Sequence, residues 1–333
     1  MFARHAAVTL AAIGCLLLHP TSTYAQAFIT AWGTFGSGDG QFQTPQGVAV
    51  GGSGQIYVSD GDNERIQVFT RDGVYLRQWS MPGAPHPNHD ALNLAVDVND
   101  NVYVASLFFT KVYKFTSTGE LLTQWGERGL GHGQFGSFFG LAVDLSGTVY
   151  VNDSNSARIQ VFTPEGVFVR QWGTPGGGDG QMLDPDGIAV DATGNVYVSE
   201  LGNHRIQKFT NTGTYITKWG SYGIDDGQFN GPVRLAIGPQ GNVHVVDHNN
   251  HRVQVFTSDG AFITKWGRRG AEFGEFDYPI GIAVDAFGDI YVADKNNSRI
   301  QRFGFMPTAA IGSTWGRLKS RYRGQRTALP PTP

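Results

Sequence analysis

A single cysteine in 333 residues, Cys15, leaves this chain without a disulfide framework. It sits inside the apolar run of residues 6–18, so loss of that run removes the only thiol. Gly14-Cys15 also has the form of a lipoprotein site, but Leu16-Leu17-Leu18 carries the apolar run past it. Nothing after this run is apolar enough for a spanning helix, which needs about 20 such residues. Helical periodicity is missing from the body of the chain, which excludes a helical bundle. A basic excess is missing too, with 25 Lys and Arg against 28 Asp and Glu.

What is present is periodic. Trp32, Trp79, Trp125, Trp172, Trp219 and Trp266 are separated by 47, 46, 47, 47 and 47 residues. A fixed period of that length marks a repeat architecture. One copy runs through Gly187-Ile188-Ala189-Val190-Asp191, Asn195-Val196-Tyr197-Val198, Arg205-Ile206-Gln207-Lys208-Phe209 and Tyr215-Ile216-Thr217-Lys218-Trp219. These are four short runs rich in Val, Ile, Tyr and Phe, separated by Gly and Asn clusters, and so four strands. Four antiparallel strands per repeat make a propeller blade.

Copies begin near Pro45, Ala91, Ser137, Pro185, Pro232 and Pro279. The sixth ends at Phe303 after its third strand. Its missing fourth strand has the form of Phe28-Ile29-Thr30-Ala31-Trp32, which has no blade before it. The fold class expected is therefore all-β, a six-bladed β-propeller of four-stranded antiparallel blades, with the N-terminal strand closing the ring. Closure removes the open sheet edges that an open array would expose.

The phrases Gly-Ile-Ala-Val-Asp, Val-Tyr-Val-x-Asp and Asn-x-Arg-Ile-Gln-x-Phe, with Gly-Asp-Gly-Gln-Phe linkers, resemble the NHL-repeat β-propellers over about residues 28–305. The resemblance implies a six-bladed ring and leaves the chemistry open, because one fold hosts many functions.

The flanks read differently. Residues 1–25 have the form of a signal peptide: Arg4 and His5, then the apolar run, then Thr23-Tyr24-Ala25. This implies an exported protein (secreted, periplasmic or held at the cell surface), and the short leader suggests a bacterial one. Residues 306–333 form a basic, flexible tail with Arg317, Lys319, Arg321, Arg323 and Arg326 and no acid. Trp315, Leu318 and Tyr322 fall at helical spacing there, so a contact with an anionic surface stands beside plain disorder. Without Arg4 and the five tail cations, the propeller keeps 19 basic against 28 acidic residues, about −9. A ring of that charge has little electrostatic affinity for nucleic acid.

Repetition separates architecture from site. Asp60, Asp153, Asp247 and Asp294 each precede an Arg by five residues, a spacing suited to local charged pairs that pin loops. The tryptophans are expected between blades. The Asp-x-x-Gly and Thr-x-x-Gly turns belong on one face of the ring. The linkers and the Asp-x-x-Asn-x-Arg loops belong on the other, which is longer, more polar and the expected binding face.

Departures from the repeat mark the site candidates. In blade two, Asn93 stands where other blades carry Gly, Ser106 and Lys111 replace Asp and Arg, and Phe108 and Phe109 replace a polar loop. The two phenylalanines fit either a contact site or a cover over the altered linker of Met81-Pro82-Gly83-Ala84-Pro85-His86. In blade four, Glu200 replaces Asp. In blade five, Arg234 takes the Gly position, where it could hold a carboxylate or sulfate or pair with a neighbouring acid. His248 follows Asp247, and with His251 it raises a metal site that the repeat position of His204 and His251 argues against.

The function these features favour is a binding module for a protein, peptide or glycan on the linker face, without a membrane span or catalytic group. The alternative is a metal-dependent propeller enzyme at the channel mouth. Amidating lyases of related shape carry His before the first-strand Gly; here that position holds Gln46, Leu92, Phe139, Asp186, Val233 and Ile280. Lactone hydrolases of related shape use calcium, for which Asn93, Asp186 and Glu200 are the oxygen donors on offer. No cofactor is otherwise expected.

Overall fold

The computed structural model describes residues 24–84 and 92–307. Residues 1–23 of the expected leader, the tail beyond Pro307 and the His86–His89 part of the blade-two linker lie outside the described residues. The propeller unit is Gln26–Gly304.

Six four-stranded antiparallel sheets follow one another along the chain. Blade one is built from Pro45–Val50, Ile56–Asp60, Arg65–Phe69 and Tyr75–Ser80; blade five from Pro232–Ile237, Val243–Asp247, Arg252–Phe256 and Phe262–Trp266. The first strands of successive blades contact one another in a complete ring, including that of blade six, Pro279–Val284, against that of blade one. They line the channel. Blade six takes its outer strand from Tyr24–Trp32, paired with Arg299–Pro307, so the N-terminal strand closes the ring.

Each blade is too thin to have a core of its own. The buried side chains instead form six clusters, one per seam between blades; Tyr57, Ile66 and Val68 of blade one, for example, meet Leu94, Val102 and Phe115 of blade two. The six tryptophans pack against these seams. Each sits on an outer strand against a third-strand Phe of the next blade, as Trp79 on Phe115 at 5.9 Å and Trp172 on Phe209 at 6.1 Å. Trp32 meets Phe69 of blade one in the same way, at 5.8 Å, so the closing seam is built like the others. The Thr-x-x-Gly turn must end in Gly for this packing: a Cβ at Gly73, whose φ is +83°, would lie 2.5 Å from the Trp32 ring.

Candidate functional site

The Asp and Arg of each loop are consumed by the fold. Asp60 is fully buried and accepts from Arg65 Nε at 2.8 Å, from Asn63 Nδ2 at 2.8 Å and from the Gln43 amide at 2.6 Å. The same guanidinium donates to the carbonyls of Ser37, Gly38 and Gln41 in the linker. Arg158, Arg205, Arg252 and Arg299 repeat this staple. Burial lifts the carboxyls of Asp60 and Asp294 above the usual range, against the pull of their hydrogen bonds and arginines.

Glu200 belongs to this set, which corrects its place among the binding candidates. It is fully buried, and its oxygens accept from Arg205 Nε, Gln207 Nε2 and Asn203 Nδ2 and from the Leu183 amide. The longer side chain performs the work of the Asp it replaces and has nothing left to offer a ligand.

Arg234 and His248 come together at the channel mouth. In blade four, a Cβ on first-strand Gly187 would lie 2.9 Å from the Cα of Arg234 in the next blade, which is why that position favours Gly. Arg234 stands at the same position in blade five and reaches back to blade four. Its Nη1 ion-pairs with Asp186 Oδ1 and donates to the Asp186 carbonyl at 3.0 Å, while its Nε is buried without a partner. Asn152, on the second strand of blade three, donates to the same carbonyl, so three successive blades are stitched there. Burial holds the Asp186 carboxyl above its usual range, against Arg234 first and His248 second.

His248 Nδ1 lies 2.8 Å from the Pro279 carbonyl of blade six, a geometry that fixes the proton on Nδ1 and leaves the lone pair on Nε2. Burial lowers its proton affinity, so the ring is neutral near pH 7. Tyr278 packs 5.1 Å from His248 and 4.6 Å from His251, in left-handed backbone at φ 53°. That conformation is strained for a bulky side chain.

An NHL-repeat family model matches residues 42–69, 182–209, 229–256 and 276–303, which fall in blades one, four, five and six of this ring. This is an NHL-repeat β-propeller. Human E3 ubiquitin-protein ligase TRIM32 is 30% identical over 128 residues, which are 32% of this chain and 19% of that protein. The chain spans no more than 19% of the length of the curated relatives it matches. A structural-genomics protein of unknown function from Bacteroides thetaiotaomicron shares the fold with a TM-score of 0.68 and 19% identity, over 85% of this chain and 76% of that one. A streptogramin B lyase shares it with a TM-score of 0.59 and 16% identity, over 85% of this chain and 98% of that one.

The other candidates of this NHL propeller lie apart from Arg234. Blade two is opposite blade five in the ring. Asn93 is buried there and its Oδ1 accepts from the Leu94 amide, in a blade whose first two strands pair without the register shift seen in the other five. Phe109 packs on the linker, 3.1 Å from where a Cβ at Gly83 would sit, and so covers the altered segment. Phe108 stacks edge-on against it at 5.1 Å and is 41% exposed.

The donors considered for calcium do not fit one ion. Glu200 is saturated, Asp186 is paired with Arg234, and Asn93 is across the ring. Among the described residues no three His, Cys, Asp or Glu side chains converge as a metal set.

Reading departures from the repeat found Arg234 and His248. It missed Asp186 as the partner of Arg234, because at the position before Gly every blade carries a different residue. It also missed Tyr278, which looks ordinary until its backbone conformation is known.

A cavity of about 450 Å³ lies on the opposite face from the linkers. Turn residues of blades four, five and six line it, among them Asp191, Thr193, Gly238, Pro239 and Asp285, with Lys208. The expectation that binding belongs to the linker face gave no hint of it.

Proposed function

We propose that this NHL propeller is a binding module that takes a protein, peptide or glycan on its linker face, at the channel mouth over blades four to six. NHL propellers serve as protein-interaction modules, which supports the class of function. The observation that carries the reading is Arg234, a part-buried cation at a glycine position that keeps a buried, unpartnered Nε beside Asp186. A ligand carboxylate or sulfate would compete with Asp186 for this guanidinium, and Tyr278 packs on His248 and His251 of the same blade. The leader sequence supports an exported protein, and the basic tail supports a contact with an anionic surface.

Peptide and glycan arrays probed with the full chain test this. A ligand class recognised by the wild type, lost with Arg234→Ala and kept with Arg170→Ala, is the expected result. Binding unchanged by Arg234→Ala removes the channel mouth from the reading. The lyase alternative rests on shared fold alone; turnover of a defined substrate that Arg234→Ala abolishes would replace the binding module with an enzyme.

A further inference from the structure

On the face away from the linkers, four blades close their first turn with one carboxylate. Asp97, Asp144, Asp191 and Asp285 each accept the amides two and four residues ahead at 2.9 Å. Each also accepts the hydroxyl of a second-strand Tyr six residues ahead, at 3.3, 3.2, 3.0 and 3.2 Å. Three donors therefore converge on one carboxylate in every such turn.

Blades one and five have Gly at that position, Gly51 and Gly238. In blade one the vacancy is refilled from outside. Asp100 of blade two, held in left-handed backbone at φ 61°, places its carboxylate where the Gly51 side chain would be. It accepts the Ser53 amide at 3.3 Å and sits against Tyr57, whose hydroxyl it helps to hold above pKa 10 after the larger effect of burial. The fold itself thus shows that a carboxylate not attached to the turn can occupy this cap.

In blade five no carboxylate among the described residues refills it. Blade six carries Gly288 where blade two carries Asp100. The amides of Gln240 and Asn242 take the positions of the two donors, and His244 takes the position of Tyr. His244 is 2% exposed, its Nδ1 is buried without a partner, and its Nε2 lies 3.2 Å from where a Cβ at Gly238 would sit. The cavity of about 450 Å³ opens at this same turn.

We propose that the vacant cap at Gly238 is a binding site for a small carboxylic acid. The ligand carboxylate accepts from Gln240 N, Asn242 N and His244, and its body occupies the cavity between Thr193 and Ala286. Its charge is met by Lys208 on the cavity wall, whose Nζ also donates to the Ser258 carbonyl at 3.1 Å and lies 3.4 Å from exposed Asp259 Oδ1. The carboxylates of Asp191 and Asp285 also line the cavity, but each is already engaged by its own turn, and Asp285 also by Arg71. The site is independent of Arg234, which opens on the other face.

Acetate, the smallest probe that reproduces an Asp side chain, tests this with the full chain. In a titration followed by amide and imidazole NMR, acetate is expected to shift Gln240, Asn242 and His244 saturably, while acetamide leaves them in place. Gly238→Asp, which supplies the carboxylate covalently, is expected to abolish the response and to raise Tm. Gly238→Ala, which narrows the cap without adding charge, keeps the test open if the Asp variant does not fold, and it is expected to weaken acetate binding. Unmoved Gln240 and Asn242 amides overturn the proposal. So does an equal response to acetamide, or one that persists in Gly238→Asp.

Discussion

The two faces of this propeller use the same chemical group, a hydrogen-bonded carboxylate at a loop, and differ in what happens when one is lost. On the linker face the carboxylate faces a guanidinium. Where blade two loses it, the partner changes too: Ser106 and Lys111 stand for Asp and Arg. On the turn face the carboxylate is held by amides and a tyrosine hydroxyl, and of the four only Asp285 also meets a cation, Arg71. Blades one and five lose it while the amides stay, because any residue but proline at the donor positions keeps its backbone N–H. A buried charge cannot outlive its partner cheaply, whereas a neutral cap can stand empty or be filled from elsewhere.

The largest effect that tests this contrast comes from breaking one staple. Arg205→Ala leaves Glu200 buried without its cation and is expected to cost about 3–5 kcal/mol, read as a lower midpoint in urea. A loss below about 1 kcal/mol would show that the neutral donors around Glu200 suffice.

The turn face responds to pH through His244. Burial holds its pKa down to about 4, below the ordinary 6.5. The neutral ring is therefore favoured by the fold; its contribution is complete above the unfolded value and is lost as pH falls from there toward about 4. The decline amounts to about 3 kcal/mol. Melting the wild type and His244→Phe across that window checks it, since the variant lacks this part of the decline.

Third, Gly51→Asp and Gly238→Asp should move in opposite directions. At Gly51 the new side chain meets Asp100, for a loss of about 1–3 kcal/mol. At Gly238 it enters a vacant cap and stabilises by about 1 kcal/mol. Equal signs for the two would mean that Asp100 does not occupy the blade-one cap. The smallest effect, about 1 kcal/mol, is expected for Asp100→Ala, and this variant should gain an acetate response at the Ser53 amide.

Most of the fold was legible because it is repeated. The six tryptophans fixed the blade count, and Phe28 to Trp32 identified the closing strand by default of any other partner. The staples were legible as structure from the recurrence of Asp and Arg, and that logic extends to Glu200 once its burial is known. Arg234 and His248 stood out as departures, yet what they touch did not, since Asp186 and Pro279 come from different blades. The vacant cap was written in the sequence as Gly238 and His244 against four Asp and five Tyr. It passed unnoticed because losing a side chain looks like less, and because only the path of Asp100 across a blade seam shows that the lost group can be replaced.

Ring closure sets an order on assembly. The sheet of blade six joins residues near Phe28 to residues near Phe303. The earliest strand of the ring to be synthesised therefore waits for nearly the whole propeller before it finds its neighbour. Until then the growing chain carries two unpaired sheet edges, one at each end, open to the wrong partner.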